Sequence, residues 1–283
     1  MATLAGSTCG SNGRGRSMTQ YWPFPGLIRS GSLRERLIVA LDFGSRREAL
    51  DLVDRLMPSV RVFRVGKRLF VKNGPEFVRE VKRRGAEIFL DLKFHDTARE
   101  VCRRAIEATR LGAKMFDLHP YGSFEVMART HHEVSRLCQT EGLRRPQILA
   151  VTMLTCLGPA SAAGADSSRR GLIQLAKLAA DASMDGVLTS AHETAALRAT
   201  CGRRFIIVTA GVRMEEESYG VTSECTPADA VRAGADYIVV GKPVWTADDP
   251  LQAVQEIVAD MERGLRSGQR RTIETAPARA RLD

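Results

Sequence analysis

From Leu37 onward, short apolar runs alternate with longer amphipathic segments along most of the chain. Eight apolar runs have the length of buried strands. They cover residues 37–42, 60–65, 87–92, 114–118, 147–152, 185–189, 205–209 and 236–240. The segments between and after them have apolar residues at helical spacing. Helices are therefore predicted at residues 46–56, 75–84, 97–111, 123–139, 168–183, 191–199, 227–233 and 249–265.

Eight strand-then-helix units of this size in one domain are typical of a (β/α)8 TIM barrel. An open doubly wound sheet normally has fewer strands and a glycine-rich turn after the first, and no GxGxxG motif follows residues 37–42. We therefore predict an α/β protein with a single barrel domain at residues 35–265. Residues 266–283 are predicted to be a basic tail.

The first 34 residues differ in composition from the rest. They are rich in Gly, Ser and Arg and contain no acidic residue. Disordered tails and organelle transit peptides share this composition, and we predict a disordered extension at residues 1–34.

The charge of the chain excludes few classes of protein. The formal net charge is +9, but the two ends carry much of it, so the middle is only mildly basic. This balance suits an anionic small substrate. Because no compact basic patch with interleaved aromatic residues occurs, nucleic-acid binding is not favoured.

The cysteines and the apolar runs indicate where the protein is located and whether it binds a metal. Six cysteines are scattered, without a CxxC motif or a Cys/His spacing suited to metal. No run is long enough to span a membrane, and the start lacks the apolar core of a signal peptide. We expect a reduced, cytoplasmic protein without a metal site or a membrane partner.

Three charged residues close the third predicted strand, in the segment EIFLDLKFHD at 87–96. Side chains alternate along a strand, so Asp91 and Lys93 are predicted to project to the same side. Asp96 falls just past the strand, on the turn into a helix. A carboxylate and an ammonium at the end of a buried strand cost desolvation energy unless they pair. Such a pair is either structural or catalytic, and the segment alone leaves both open.

Polar residues also follow the other predicted strands. The active site of a (β/α)8 barrel lies at the carboxyl ends of its strands and in the loops that follow. The residues at these ends are Asp42, Arg64, Lys67, Asp91, Lys93, Asp96, His119, Thr152, Thr155, Ser190, Arg213 and Lys242. A purely structural ion pair would not require this ring, so the catalytic interpretation of Asp91 and Lys93 is favoured.

The last two strands are followed by candidate phosphate-binding loops. Gly211 and Arg213 follow the seventh strand, and Gly241 and Lys242 follow the eighth. Glycine lets the backbone approach a ligand, and the cation of each loop can neutralise the negative charge of a phosphate. An ordinary glycine loop with a solvated cation is the alternative, but two such loops in these places favour phosphate binding.

The residues above resemble the orotidine 5'-phosphate decarboxylase family. The resemblance covers nearly all of residues 37–265 and is strongest in IVALDF (38–43) and in the block at 64–96. That block ends in DLKFHD, which fits the DxKxxD signature of the family. Further matches are VTMLT (151–155), TSAHE (189–193), TAGVR (209–213) and VVGKPV (239–244).

The resemblance implies a cofactor-free decarboxylation of orotidine 5'-monophosphate to uridine 5'-monophosphate, a step of pyrimidine biosynthesis. Lys93 would donate the proton to C6, with Asp91 and Asp96 as charged neighbours and Arg64 in the same network. In the family the residue matching Asp96 reaches the active site of the other subunit, so a homodimer is implied. The substrate-binding residues would be Asp42, Thr155, Ser190, Arg213, Gly241 and Lys242.

The chain departs from the family pattern at position 64, where Lys is usual and Arg64 stands. Arginine keeps the positive charge but is larger, planar and never a proton donor. Because Lys93 is the inferred donor, we expect reduced activity or altered substrate contacts rather than loss of the chemistry.

Three further departures surround the nucleotide. Thr97-Ala98-Arg99-Glu100 follows DLKFHD in place of Ile-Pro-Asn-Thr, and Lys242 replaces an arginine at the phosphate. The loop 214–225 is acidic and lacks a phosphate-contacting glutamine. A divergent paralogue that acts on, or merely binds, a related nucleotide in a specialised pathway is therefore an alternative.

Two further hypotheses differ from a decarboxylase in their chemistry. A metal-dependent member of the same superfamily would need an acid at the end of the second strand to bind Mg²⁺, where this chain has Arg64. A degenerate barrel could bind a nucleotide or a partner protein without turnover. The acids and the lysine of the DLKFHD segment argue against that second hypothesis.

Overall fold

The computed structural model describes residues 32–57, 59–120, 123–152, 165–212, 214 and 225–274, without the side chains of residues 165–169 and 268–274. Within these ranges, eight parallel strands form a closed barrel in which each strand pairs with its neighbours in sequence and the eighth pairs with the first. The strands are β1 (Leu37–Ala40), β2 (Val62–Gly66), β3 (Glu87–Phe94), β4 (Met115–Leu118), β5 (Gln147–Val151), β6 (Gly186–Ser190), β7 (Ile206–Ala210) and β8 (Tyr237–Val240). The predicted (β/α)8 barrel is confirmed.

Helices alternate with these strands on the outside of the barrel. In the described part of the chain they are α1 (Leu33–Arg36), α2 (Arg46–Leu56), α3 (Lys67–Arg83), α4 (Ala98–Arg110), α5 (Phe124–Glu141), α6 (Ala165–Asp181), α7 (Thr194–Cys201), α8 (Pro227–Ala233), α9 (Lys242–Trp245) and α10 (Pro250–Glu274). A 3-10 turn, Ala191–Glu193, precedes α7. The last helix continues past the predicted end at residue 265, into the segment predicted to be a basic tail.

Helix α3 begins earlier than the sequence pattern predicts. The prediction starts at residue 75, because Pro75 is favoured in the first turn of a helix. The structure has helix already from Lys67, with a break at Gly74, whose φ of 66° lies in the left-handed region. Glycine adopts this conformation without a Cβ penalty. The helical segment before the break places Lys67 directly after β2, beside the barrel mouth.

The barrel interior determines which side chains reach its mouth. One buried layer contains strand residues only, among them Ile38, Ala40, Val62, Phe89, Met115, Leu149, Val208 and Val239, and it fills the barrel. A larger layer lies between the strands and the helices. Because side chains alternate along a strand, the next interior positions on β1 to β4 are Asp42, Arg64, Asp91 and Asp117. Four ionisable side chains therefore lie together at one end of the barrel interior.

Candidate active site

Arg64 joins the first three strands at the barrel mouth. It pairs in register with Ala40 of β1 and with Phe89 of β3. Its Nη1 donates to both carboxylate oxygens of Asp42, at 3.1 and 3.0 Å, and its Nε donates to Asp91. Burial opposes the charge of Arg64, but the two carboxylates outweigh burial and raise its pKa. The guanidinium group is therefore a fixed positive charge between two acids.

Asp91 lies between two cations and is almost completely buried. Its side chain is 2% exposed, and its two oxygens accept hydrogen bonds from Arg64 and from Lys93 Nζ. Burial would raise the pKa of Asp91, but the charge of Arg64, a hydrogen bond with Asp117 and the charge of Lys93 lower it to about 2. Asp91 is therefore ionised at neutral pH.

Lys93 has the predicted orientation in a distorted strand. Its ammonium group contacts Asp91, so the two side chains lie on the same side, and 19% of the Lys93 side chain is exposed. Its backbone is in the left-handed region, with φ of 49°. The pairing of β3 with β4 shifts register between Leu90 and Phe94, which contains this position. Lys93 thus stands on a bulge of the strand rather than in a regular ladder.

Asp117 of β4 is a site residue that the sequence-based prediction missed. Its carboxyl group is fully buried, and its Oδ1 accepts the backbone N–H of Lys93 at 2.7 Å. Its Oδ2 lies 3.7 Å from Lys93 Nζ. Burial, and next the negative charge of Asp91, raise the pKa of Asp117 well above its ordinary value. The available signal was a carboxylate within an apolar strand, two residues after the interior Met115.

Asp96 lies apart from this cluster. Its carboxylate accepts the Thr97 N–H at 2.7 Å and a hydrogen bond from Arg104 Nη2 at 2.7 Å. Among the contacts of Asp96 that the structure describes, none is with Lys93 of the same chain. Asp96 is therefore not a described neighbour of Lys93 in the same chain, and its place in the active site of a second subunit stays a prediction.

Four of the six predicted substrate-binding residues lie within the described ranges. Gly241 lies beside Asp42, since a Cβ at position 241 would be 3.6 Å from Asp42 Oδ2 and 3.3 Å from Trp245 Nε1. Lys242 follows it at the exposed start of α9. Ser190 ends β6, and its carbonyl accepts a hydrogen bond from Thr194 at 3.2 Å. The other two predicted residues, Thr155 and Arg213, lie outside the described residues.

A buried cluster of hydroxyl groups supports the other side of the mouth. Glu193 accepts a hydrogen bond from Thr189 Oγ1 at 2.8 Å, and Thr152 Oγ1 lies 3.3 Å from Thr189 Oγ1. A second hydroxyl pair, Thr194 and Thr209, is 2.9 Å apart. These contacts link the carboxyl ends of β5, β6 and β7. Burial raises the pKa of Glu193, which favours its neutral form.

His119, predicted at the mouth after β4, packs against His95. The two rings are 5.5 Å apart in an edge-to-face arrangement. Burial, followed by the nearby positive charges, lowers the pKa of His119. His119 is therefore neutral at neutral pH and adds no charge beside Lys93.

These observations define a class: a (β/α)8-barrel enzyme in which Asp42, Arg64, Asp91 and Lys93 form a line of alternating charges at the carboxyl ends of β1 to β3. Residues 35–257 match the model of the Orotidine 5'-phosphate decarboxylase / HUMPS family. The chain belongs to this family, as the sequence predicted.

Relatives and solved structures agree with that assignment. The chain is 40% identical over 242 residues to the orotidine 5'-phosphate decarboxylase of Syntrophotalea carbinolica, covering 83% of this chain and 98% of the relative. It is 38% identical over 242 residues to the protein of the same name from Syntrophus aciditrophicus, covering 82% and 94%. The crystal structure of orotidine 5'-phosphate decarboxylase from Lactobacillus acidophilus is similar, with a TM-score of 0.69, 28% identity, and coverage of 80% of this chain and 99% of that one.

In the ranges that the structure covers, no helix is both long enough and apolar enough to cross a bilayer.

Proposed function

We propose that this protein decarboxylates orotidine 5'-monophosphate to uridine 5'-monophosphate, a step of pyrimidine biosynthesis, without a cofactor. Lys93 is the proton donor to C6. The observation that carries the proposal is the contact of Lys93 with the ionised Asp91 on the inner face of a barrel of this family. Relatives named orotidine 5'-phosphate decarboxylase that match most of the chain support the substrate.

The chemistry requires a positive charge at one carbon. When CO2 leaves, the electron pair of the broken C–C bond stays on C6, which has no adjacent electron sink. A preorganised cation that is shielded from water stabilises this charge most effectively. The Lys93 ammonium group is held in place by Asp91, and it then transfers a proton to C6 to form the new C–H bond.

Asp91 has a second effect on the same step. Its fixed negative charge lies where the substrate carboxylate would bind beside Lys93. The repulsion between Asp91 and the substrate carboxylate raises the energy of the bound substrate. This repulsion falls as the substrate carboxylate departs as neutral CO2. Arg64 keeps the Asp91 carboxylate ionised and oriented throughout.

The remaining predicted residues hold the nucleotide. Asp42, whose side chain is 47% exposed, has room to accept a ribose hydroxyl while it pairs with Arg64. Gly241, Lys242 and Arg213 bind the phosphate, and Thr155 and Ser190 contact the pyrimidine. Binding energy from the phosphate positions the ring against Lys93.

The proposed enzyme is a cytoplasmic homodimer with shared active sites. Asp96 is partly exposed, and its described contacts are with Thr97 and Arg104 of its own chain. In the proposed dimer this carboxylate neighbours Lys93 of the second subunit. Each site is then complete only when two chains associate.

Arg64 also distinguishes this function from metal-dependent enediolate chemistry. A Mg²⁺ site needs several unpaired oxygen ligands. Here one guanidinium group hydrogen-bonds the carboxylates of both Asp42 and Asp91. The acids of β1 and β3 are therefore partners of an arginine, which favours the decarboxylase.

The test is turnover of orotidine 5'-monophosphate by the purified wild-type protein in the presence of a chelator. Formation of uridine 5'-monophosphate and CO2 at equal rates, unchanged by added Mg²⁺, is the expected result. Tight binding of uridine 5'-monophosphate without turnover would replace the proposal with a binding module. Activity only with Mg²⁺ on a sugar phosphate would replace it with the metal-dependent enzyme.

A further inference from the structure

Among the described residues, three aspartates accept a backbone N–H from a neighbouring strand, and one of them differs from the others. Asp185 accepts the Ile148 N–H at 2.8 Å, and Asp236 accepts the Ile207 N–H at 2.8 Å. Both lie at the amino ends of the strands, and each pairs with an arginine. Asp117 makes the same kind of bond at the opposite end of the barrel, where the amide belongs to Lys93.

The amide that Asp117 holds is at a strained position. Lys93 is one of three non-glycine residues with positive φ among those that the structure describes, and it stands where the β3–β4 pairing shifts. The left-handed region is unfavourable for a non-glycine residue, so surrounding contacts must hold Lys93 there. The 2.7 Å bond from Lys93 N–H to Asp117 is such a contact, since the regular ladder is interrupted there.

The other oxygen of Asp117 indicates that this acid is neutral. Oδ2 is buried and has no N–H or O–H donor among the described residues. Burial and the negative charge of Asp91 raise the pKa of Asp117. Asp91 has two cationic partners that keep it ionised, so the proton of the pair resides on Asp117. A neutral Asp117 can donate to Asp91 and accept from Lys93 at once.

We propose that Asp117 is a positioning residue: it holds the backbone of Lys93 in the left-handed conformation and thereby directs the ammonium group at the reacting carbon. This inference rests on the proposed function for its catalytic consequence. Its structural part, the restraint of the Lys93 backbone, is independent of the substrate.

The Asp117→Asn variant distinguishes the positioning role from a requirement for a negative charge at residue 117. Asp117→Asn keeps an acceptor for the Lys93 N–H and a donor toward Asp91, so we expect kcat within about fivefold of wild type. Asp117→Ala removes the acceptor, and we expect kcat to fall at least about 100-fold with KM changed less than about fivefold, because misplacement of a reacting group acts on the chemical step.

A matched control variant is Asp185→Ala. It removes a carboxylate that accepts a hydrogen bond from a backbone N–H in the same way, but at the other end of the barrel. It should lower the thermal midpoint but leave kcat within about twofold of wild type, since its described hydrogen-bond donors, Arg145 and the Ile148 N–H, lie outside the site. A general loss of stability therefore cannot mimic the expected result.

Hydrogen exchange at the Lys93 amide makes the test independent of activity. Exchange should be at least about tenfold faster in Asp117→Ala than in wild type, and within about threefold in Asp117→Asn. If the wild type does not decarboxylate the substrate, the proposed function fails, and the exchange rates still decide the role of Asp117. A folded Asn variant that is as impaired as the Ala variant would overturn the proposal, as would an Ala variant that matches wild type. If the Ala variant does not fold, the Asn variant alone decides.

Discussion

Arg64 places Nη1 3.0 and 3.1 Å from the two carboxylate oxygens of Asp42, while its Nε donates to Asp91. One planar group therefore ties the acid after β1 to the acid of β3. A lysine has no fork and would reach these carboxylates as a single point charge. Arg64 thus provides with fixed geometry what a lysine would provide with charge alone.

The Arg64→Lys variant tests this relationship. Because the charge between the acids is retained, we expect kcat/KM within about tenfold of wild type. Arg64→Ala leaves the buried Asp91 with Lys93 as its only described cationic partner, and we expect a loss of at least about 100-fold. Steady-state kinetics on the three proteins measures both values. Wild-type kinetics in Arg64→Ala would show that the guanidinium group is dispensable.

Asp91 predicts a specific acid dependence of stability. Its folded-state pKa, about 2, lies below the ordinary 3.8, so its contribution is fully present above the unfolded value and is lost as pH falls toward 2. Between pH 5 and pH 2.5 the wild type should lose about 1.5 kcal/mol more unfolding free energy than Asp91→Asn. Urea unfolding at both pH values measures this difference.

The control for this measurement is Asp51→Asn, on the exposed side of α2. Its pH dependence should match that of wild type, because an exposed pair is worth little. Identical acid dependence in wild type and Asp91→Asn would contradict the assignment of Asp91 as an ionised, buried acid.

The position of Asp96 predicts complementation between two inactive variants. Lys93→Ala and Asp96→Ala should each be inactive as homodimers. In a mixed dimer, one site takes Lys93 from the Asp96→Ala chain and Asp96 from the Lys93→Ala chain, so that site is intact. Equal mixing with random association should restore about one quarter of the wild-type activity, because half of the dimers are mixed and each has one intact site of two.

The experiment requires that the variants be unfolded and refolded together, or expressed together, so that subunits exchange. Mixing each variant with itself under the same conditions is the control. If Asp96 acts in its own chain, or not at all, the mixture shows no more activity than the sum of its parts.

Much of the barrel was predictable because local signals agree with the tertiary pattern. Helices α2 and α8 have the predicted bounds, since Ser45 caps the first and the Thr226–Asp229 capping box begins the second. The eight strands begin and end within two residues of the predictions, because each is a short buried apolar run between longer amphipathic segments.

The features that the sequence did not predict depend on contacts between strands or on the local backbone at a glycine. Asp117 is absent from the predicted site because its role follows from the shifted β3–β4 pairing that brings the Lys93 amide to it. The early start of α3 was concealed by a glycine and proline that usually mark a boundary.

The most direct test of Lys93 as the proton donor is to measure both turnover and product binding by the Lys93→Ala variant. Lys177→Ala, on the exposed side of α6, is the matched control. We predict that Lys93→Ala lowers kcat for orotidine 5'-monophosphate by at least about 10⁴-fold while the Kd of uridine 5'-monophosphate changes less than about tenfold, and that the control equals wild type. Turnover in Lys93→Ala close to that of wild type would contradict the assignment of Lys93 as the proton donor.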